Sequence, residues 1–241
     1  ADSIACVITE NTNTGLGIVT PPPGYMQLVR DICTRHGVLL IADEIITGIA
    51  KTGAWFESEK QGIVPDMLCI GKAVSAGCGA LAVTHVTKEI GETLAAGGNL
   101  HHGFTYGGLS YLAAAGLAGF EYVEQHKLLQ RALDIERRTR RRMEALQSRT
   151  RIVGDIRMSG ALQGIELVRD RQTKSRFEDP RAVAAFITGV GREHGVLLSG
   201  QFPHYGNIIT MYLPLTSTDA ELDMVCDAID DAVTRVEKTY A

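Results

Sequence analysis

The sequence lacks the features of several large protein classes. It has 24 Lys and Arg against 28 Asp and Glu, a formal net charge of −4, so it has no positive field that would attract a polyphosphate, and nucleic acid is not expected as a partner. Its longest apolar runs, such as Val38–Ala42, are far shorter than the roughly 20 residues that cross a bilayer. No basic segment followed by an apolar stretch opens it. We therefore expect no membrane segment and no export signal.

Cysteine is also scarce, with five residues at wide spacing. They form no Cys-x-x-Cys pair and no cluster with histidine, which argues against a zinc site or a disulfide framework. An odd number of scattered cysteines is typical of buried free thiols in a reducing compartment. We expect a cytoplasmic protein that binds no metal. The hydrophobic fraction of 45% and the charged fraction of 22% are ordinary for one large or two modest globular domains.

The first part of the chain alternates short apolar runs with amphipathic stretches. One amphipathic stretch, Tyr25–Arg35, is followed by Gly37 and predicts a helix with a glycine cap. Short apolar strands separated by helices indicate an α/β layer whose sheet is mainly parallel and covered on both faces. The predicted strands are Ile4–Ile8, Val38–Ala42, Met67–Ile70 and Ala80–His85.

A long helical region is predicted from about Leu109 to about Ser148, and its second half is rich in arginine. This arginine run has two interpretations, an anion or nucleic-acid patch or a solvated helix face in which acidic residues pair at i,i+4. The net negative charge of the chain favours the solvated face.

The pattern changes after Ile152 to that of a small α+β unit, so we place the domain boundary between residues 140 and 141. Residues 1–140 form the α/β domain and residues 141–241 the α+β domain. The predicted elements of the second domain are strands at Gly160–Val168, Val196–Ser199 and Ile208–Leu213, and helices at Pro180–His194 and Thr218–Thr239.

Two charged residues stand directly after predicted strands. Asp43 ends the strand Val38–Ala42, and Lys72 follows the strand Met67–Ile70 after one glycine. In open α/β sheets the ligand crevice lies at the carboxyl ends of the strands. A lysine among apolar and small residues is expected to be partly desolvated, which favours the neutral amine that a Schiff base or a general base requires. An acid and an amine on neighbouring strand ends predict a shared ligand.

Three segments of the sequence match a known pattern in order and spacing. Residues 40–53 (LIADEIITGIAKTG) resemble the signature of class III, or ω-type, PLP-dependent aminotransferases of fold type I. Residues 65–73 (PDMLCIGKA) resemble the cofactor-lysine segment of that family, and residues 102–106 (HGFTY) its phosphate-contact segment. Residues 153–157 and 164–167 continue the similarity, which therefore covers essentially the whole chain.

This resemblance implies a role for each matching residue. Lys72 would hold pyridoxal 5′-phosphate (PLP) through a Schiff base and then move the substrate proton. Asp43 would pair with the pyridine nitrogen, and Ile45 would pack on one face of the ring. Thr105 would contact the phosphate of a cofactor held by the neighbouring subunit, which places the active site at a dimer interface. Glu10 would lie near the phenolic oxygen.

Four positions depart from the family pattern. Ile46 stands where glutamate-dependent relatives have glutamine, and Gly15 stands where the ornithine and γ-aminobutyrate enzymes have a glutamate. Thr210 replaces the arginine that usually binds a substrate α-carboxylate, and Lys51 replaces another arginine with the loss of its planar fork. We therefore expect weak use of 2-oxoglutarate and a preference for pyruvate or a substrate without an α-carboxylate.

The resemblance begins roughly midway through the usual large domain of the family. The amino half normally supplies the loop and helix N-terminus that bind the cofactor phosphate. We therefore expect one part of a longer or split PLP-dependent aminotransferase, which moves an amino group from an amine or amino acid to a keto or aldehyde acceptor. It would act as a homo-oligomer, or as a hetero-oligomer with an amino-terminal half. The alternatives are a non-catalytic partner subunit of a complete aminotransferase, and an aminomutase or racemase.

Overall fold

A computed structural model of the chain describes residues 3–98, 100, 102–199 and 206–241. Within these residues the strands are β1 (Cys6–Thr9), β2 (Leu39–Asp43), β3 (Met67–Ile70), β4 (Val83–Val86), β5 (Val153–Ser159), β6 (Leu162–Leu167) and β7 (Asn207–Tyr212). The helices are α1 (Tyr25–Arg35), α2 (Glu57–Lys60), α3 (Lys88–Ala96), α4 (Ser110–Gln125), α5 (Leu128–Arg149), α6 (Pro180–Glu193) and α7 (Asp219–Tyr240). One turn of 3₁₀ helix covers Lys72–Ser75.

The chain divides into two compact units. Unit 1 comprises Ala1–Thr12 and Pro21–Leu129, and unit 2 comprises Asn13–Thr20 and Gln130–Ala241. Unit 1 contains the α/β sheet, and unit 2 contains a small α+β fold, as the sequence predicts. The division falls inside α5. The domain boundary between residues 140 and 141 stays a prediction.

The sheet of unit 1 has the strand order β1-β2-β3-β4. The first three strands are parallel, with Thr9 opposite Ala42 and Asp43 opposite Cys69. The fourth predicted strand exists but lies at Val83–Val86 and runs antiparallel to β3, so the sheet is mixed at this edge. A parallel strand would need a crossover connection, usually a helix. The residues between Ile70 and Val83 contain one 3₁₀ turn and no α-helix, and the chain returns beside β3 in the opposite direction.

The core of unit 1 includes a cluster that joins α1 to β2. Met26 and Cys33 of α1 pack with Val38, Leu40 and Ile63, all of them buried. Met26 and Cys33 lie two helical turns apart, so both face the same side of α1 and form its apolar face. The other face of α1 is exposed.

Unit 2 has an antiparallel sheet in the order β5-β6-β7 and a large hydrophobic cluster to which α5, α6 and α7 contribute. β5 was not predicted, because the charged residues Asp155 and Arg157 interrupt its apolar pattern. The strand predicted at Val196–Ser199 is wrong. Val196 N donates to Gly191 O at 2.8 Å, so the residues after α6 pack against the end of that helix and join no sheet.

The predicted long helical region is two helices, α4 and α5. Lys127 interrupts them with a φ of 52°, which is incompatible with a continuous helix. The arginines of α5 form ion pairs within the helix and also with carboxylates of α7. The pairs between the two helices are Arg131–Asp219, Arg138–Asp219, Arg138–Asp223, Arg142–Asp223, Arg142–Asp227 and Arg149–Asp230.

Unit 2 also includes a segment from early in the chain, Asn13–Thr20. It lies against the sheet, where Arg157 Nε donates to Gly17 O at 2.9 Å and Tyr212 Oη donates to Thr14 O at 3.2 Å. Gly164 in β6 allows this approach, since a Cβ there would lie 2.4 Å from Gly17 O. The sequence-based prediction did not anticipate this segment.

All five cysteines are free thiols, but two of them are exposed. Cys6 lies on the edge strand β1 and Cys78 in a surface loop, so the expectation of uniformly buried thiols is wrong for them. No helix in the described ranges combines the length and the apolar character needed to cross a membrane. Those ranges also contain no group of three or more histidine, cysteine or carboxylate side chains arranged to bind a metal ion.

Candidate active site

Three of the predicted site residues follow three adjacent parallel strands. Glu10 comes directly after β1, Asp43 is the last residue of β2, and Lys72 lies two residues beyond β3. The register of β1, β2 and β3 puts these ends at the same edge of the sheet. This edge is where open α/β sheets bind their ligands.

The backbone at Lys72 has a strained conformation. Its φ is 43°, a region that non-glycine residues rarely adopt and that occurs preferentially at functional sites. Lys72 begins the 3₁₀ turn, which Val74 N closes by donating to Gly71 O at 3.0 Å. The side chain is exposed, so the expectation of a partly desolvated amine is wrong for this chain by itself. Within the described residues no hydrogen bond or ion pair engages the amine.

Helix α4 packs closely against this turn because its facing residues are glycines. A Cβ at Gly116 would lie 3.2 Å from Val74 O, and one at Gly119 would lie 3.8 Å from the same oxygen. The small residues that the sequence shows in the first half of the helical region therefore bring a helix against the residues that follow Lys72.

Asp43 and Ile45 are held together at the end of β2. The Ile45 amide donates to Asp43 Oδ1 at 3.1 Å, and Asp43 is half-buried. The Ile45 side chain lies beside Gly71, since a Cβ built on Gly71 would be 3.5 Å from Ile45 Cγ2. The Asp43 carboxylate, the Ile45 side chain and the Gly71 backbone, which directly precedes Lys72, therefore lie close together.

The remaining two residues differ in their surroundings. Glu10 is half-buried at the end of β1. Thr105 lies in an exposed turn between Phe104 and Tyr106, whose side chains are 73% and 78% exposed. In the part of the chain that the structure describes, no hydrogen bond joins Thr105 to Lys72 or Asp43. The role of Thr105 toward a cofactor in a neighbouring subunit stays a prediction.

Glu44 is a buried carboxylate that the sequence-based prediction missed. It is 1% exposed and accepts hydrogen bonds from side chains and from backbone amides. The one signal in the sequence is a second charged residue directly after Asp43 and before the apolar pair Ile45-Ile46.

Lys51, the residue that replaces the family arginine, is half-buried, and burial lowers the pKa of its amine below the ordinary 10.5.

The family model for class-III aminotransferases matches residues 1–233 of this chain. The chain belongs to the class III aminotransferase family. The taurine–pyruvate aminotransferase of Bilophila wadsworthia is 32% identical over an alignment of 247 positions that covers 99% of this chain. A crystal structure of a transaminase from the marine bacterium Virgibacillus superposes with a TM-score of 0.93 at 29% identity over 98% of this chain. An amine transaminase from an uncultivated Pseudomonas species, solved in its PLP-bound form, is 33% identical with a TM-score of 0.89 over 97% of this chain.

The chain spans about half the length of the relatives that it matches. It covers 54% of the Bilophila enzyme, 54% of the Virgibacillus chain and 52% of the Pseudomonas chain. The likeness includes both units. The fold predicted from the sequence, the PLP-transferase α/β domain followed by a small α+β domain, is confirmed.

The residues at the strand ends fit PLP, the cofactor of this family. Lys72 would offer an exposed amine to the aldehyde carbon, Asp43 a carboxylate to the pyridine nitrogen, and Ile45 an apolar surface to the ring. Within the described residues the Asp43 carboxylate accepts one hydrogen bond, from the Ile45 backbone amide. It can therefore accept a further hydrogen bond from a ligand. These side chains match the aldehyde carbon, the pyridine nitrogen and the ring of the cofactor, but not its phosphate.

Proposed function

We propose that this chain carries the cofactor-lysine part of a PLP-dependent aminotransferase. The reaction moves an amino group between an amine or amino acid and a keto or aldehyde acceptor. The observation that carries the proposal is the convergence of Glu10, Asp43 and Lys72 at the carboxyl ends of three adjacent parallel strands. Membership of the family supports it.

The side chains at these strand ends have distinct roles in this proposal. Bound PLP supplies an electron-withdrawing ring that stabilises the charge left when a proton leaves the substrate carbon. Lys72 would hold the cofactor through its amine and would move the substrate proton. Asp43 would keep the pyridine nitrogen protonated. Ile45 would cover one ring face and exclude water from it, and Glu10 would lie near the phenolic oxygen.

We further propose that the working enzyme contains an amino-terminal half, covalent or separate, that supplies the phosphate-binding groups. The coverage of about half of each relative supports this proposal. Large apolar side chains that unit 1 exposes support it as well, since a further polypeptide would remove them from water. The most exposed include Ile8, Phe104, Tyr106, Tyr111 and Leu117. The assembly is a homo-oligomer or a hetero-oligomer in which Thr105 faces the neighbouring subunit's cofactor.

The proposed substrates follow from two positions of unit 2. Thr210 in β7 and Gly15 stand where a clamp arginine and a switch glutamate occur in glutamate-dependent relatives. We propose pyruvate as the acceptor and a donor without an α-carboxylate, a pairing that the name of the Bilophila enzyme supports. Both acceptors carry an α-carboxylate, so the discrimination falls on the second carboxylate of 2-oxoglutarate. A missing charged contact to that group is expected to lower kcat/KM for 2-oxoglutarate about a hundredfold relative to pyruvate. Equal kcat/KM values for the two acceptors contradict this proposal.

The decisive experiment substitutes Lys72 in the assembly that contains the amino-terminal half. Lys72→Ala is expected to lower the transamination rate by at least about a thousandfold, because the general base and the covalent anchor disappear together. Folding is expected to persist because residue 72 is exposed. Lys127→Ala is the matched control, since Lys127 has a similar backbone φ of 52° and lies away from the strand ends. Retained activity in Lys72→Ala contradicts the proposal.

The same assembly separates the alternatives. An aminomutase or racemase uses the lysine and the aspartate but transfers no nitrogen to an external keto acid, so stoichiometric alanine formation from pyruvate excludes it. A non-catalytic subunit binds no PLP beyond that of its partner. The free cysteines support a cytoplasmic location, which stays a prediction.

A further inference from the structure

The Glu44 carboxylate is the centre of a buried hydrogen-bond network that we call the Glu44 knot. Its five donors come from three parts of unit 1 and converge on a side chain that is 1% exposed. Oε1 accepts from Asn11 Nδ2 at 2.9 Å, Ser58 N at 2.7 Å and Ser58 Oγ at 2.6 Å, and Oε2 accepts from Glu57 N at 3.0 Å and Thr47 Oγ1 at 2.5 Å. A buried carboxylate with so many donors is fixed in position.

The knot fixes the chain at two of the strand ends that carry the site. Asn11 is the neighbour of Glu10, so its bond ties the segment after β1 to the segment after β2. Glu44 itself lies between Asp43 and Ile45. It also closes the turn that follows, because Gly48 N donates to Glu44 O at 2.9 Å.

The knot therefore reaches Asp43 through the backbone. The turn that Glu44 closes contains the Ile45 amide, and this amide donates to Asp43 Oδ1. If the turn loosens, the amide moves and the Asp43 carboxylate loses the contact that orients it. Resting on the proposed function, we propose that Glu44 is a positioning residue that presents Asp43 and Ile45 to the cofactor without touching it.

The pattern of donors explains why this residue is a carboxylate. Glutamine has nearly the same size, but one of its terminal atoms is an NH₂ group that donates. If the NH₂ group takes the place of Oε1, it faces the Ser58 amide, and if it takes the place of Oε2, it faces the Glu57 amide. Neither backbone N–H can rotate away. Glu44→Gln thus creates an unpaired buried donor in either orientation, which costs more than the loss of one hydrogen bond.

The first test measures amide hydrogen exchange at Ile45 by NMR in the assembly that contains the amino-terminal half. Glu44→Gln is expected to speed this exchange at least about tenfold. Glu57→Gln is the control, because the Glu57 carboxylate is equally buried but bonds to Thr12 and Gln61. It is expected to leave the Ile45 amide within about twofold. Equal acceleration in both variants, or none in Glu44→Gln, overturns the proposal.

A milder pair of substitutions keeps the test valid if Glu44→Gln does not fold. Thr47→Val removes one donor from the knot with little change of volume. Thr52→Val removes the hydroxyl of another fully buried threonine, whose Oγ1 has no hydrogen bond within the described residues. The Ile45 amide is expected to exchange about threefold faster in Thr47→Val than in Thr52→Val. Equal exchange in the two variants overturns the proposal.

The second test measures PLP itself in the same assembly. The Kd for PLP is expected to rise about tenfold in Glu44→Gln, and the pH profile of the cofactor absorbance to shift, because Asp43 no longer holds its orientation. Glu57→Gln is expected to change neither. If the unsubstituted assembly binds no PLP, the proposed function is wrong. The exchange experiment then still tests whether Glu44 holds the Ile45 amide in place, because that measurement does not require PLP. An unchanged Kd and pH profile in Glu44→Gln overturn the positioning role.

Discussion

The two units of this chain differ in how well their apolar residues are covered. In unit 2, α5, α6 and α7 enclose the sheet, and residues such as Ile165 and Ile209 are fully buried. In unit 1, the edge strand β1 exposes Ile8 to 62%, and α3 has no buried residue. A helix and a strand of this kind gain little free energy from burial in the chain alone.

The candidate site belongs to the unit that is less well covered. Glu10, Asp43 and Lys72 all lie in unit 1. The larger buried cluster lies in unit 2, whereas unit 1 exposes apolar side chains that the proposed amino-terminal half and second subunit would cover. The Glu44 knot compensates in part, because it fixes two strand ends through polar contacts where apolar burial is limited.

The sharpest contrast is between two isoleucines, one in each unit. Ile165→Ala in β6 is expected to lower the free energy of unfolding by about 2–5 kcal/mol, because it leaves a cavity in a fully buried place. Ile8→Ala in β1 is expected to change it by less than about 0.5 kcal/mol in the isolated chain. Urea unfolding of both variants measures the difference. Similar losses would show that unit 1 is as well packed as unit 2.

The next prediction concerns the segment Asn13–Thr20, which belongs to unit 2 although it lies early in the chain. Gly164→Ala is expected to cost about 1–3 kcal/mol, because its Cβ would lie 2.4 Å from Gly17 O and must push the segment away. Gly189→Ala is the matched control within α6, where a Cβ meets nothing within 4 Å and helix propensity favours alanine.

Thermal unfolding of the two glycine variants is expected to shift in opposite directions. Equal shifts would mean that the segment does not depend on Gly164 for its place.

A smaller effect concerns the buried cysteine of α7. Burial raises the pKa of the Cys226 thiol to about 11 from the ordinary 9.0. Between pH 9 and pH 11 the unfolded chain releases this proton while the folded chain retains it, so the free energy of unfolding falls as the pH rises. Cys226→Ala is expected to make the fall shallower, as urea unfolding at several pH values measures. A slope that is unchanged in Cys226→Ala would contradict the burial of Cys226.

Much of this architecture was predictable because the decisive signals are local. Asp43 and Lys72 could be placed at neighbouring strand ends because apolar runs define strands and charged residues end them. The pairing of Arg138 with Asp223 could not be predicted, since the partner helix lies 85 residues further along the chain and its face is set by packing. The Glu44 knot escaped prediction for the same reason, because the donors of Asn11 and Ser58 meet only when the sheet and α2 have formed.

Unit 2 buries its apolar core within this chain, whereas unit 1 leaves apolar side chains exposed. Hydrogen exchange with mass spectrometry on the isolated chain, and on the chain with an amino-terminal half, measures this difference for each element. We expect strong protection of β5, β6 and β7 in both samples, and protection of β1, α3 and α4 that appears only when the amino-terminal half is present. Equal protection of the two units in the isolated chain would contradict this expectation.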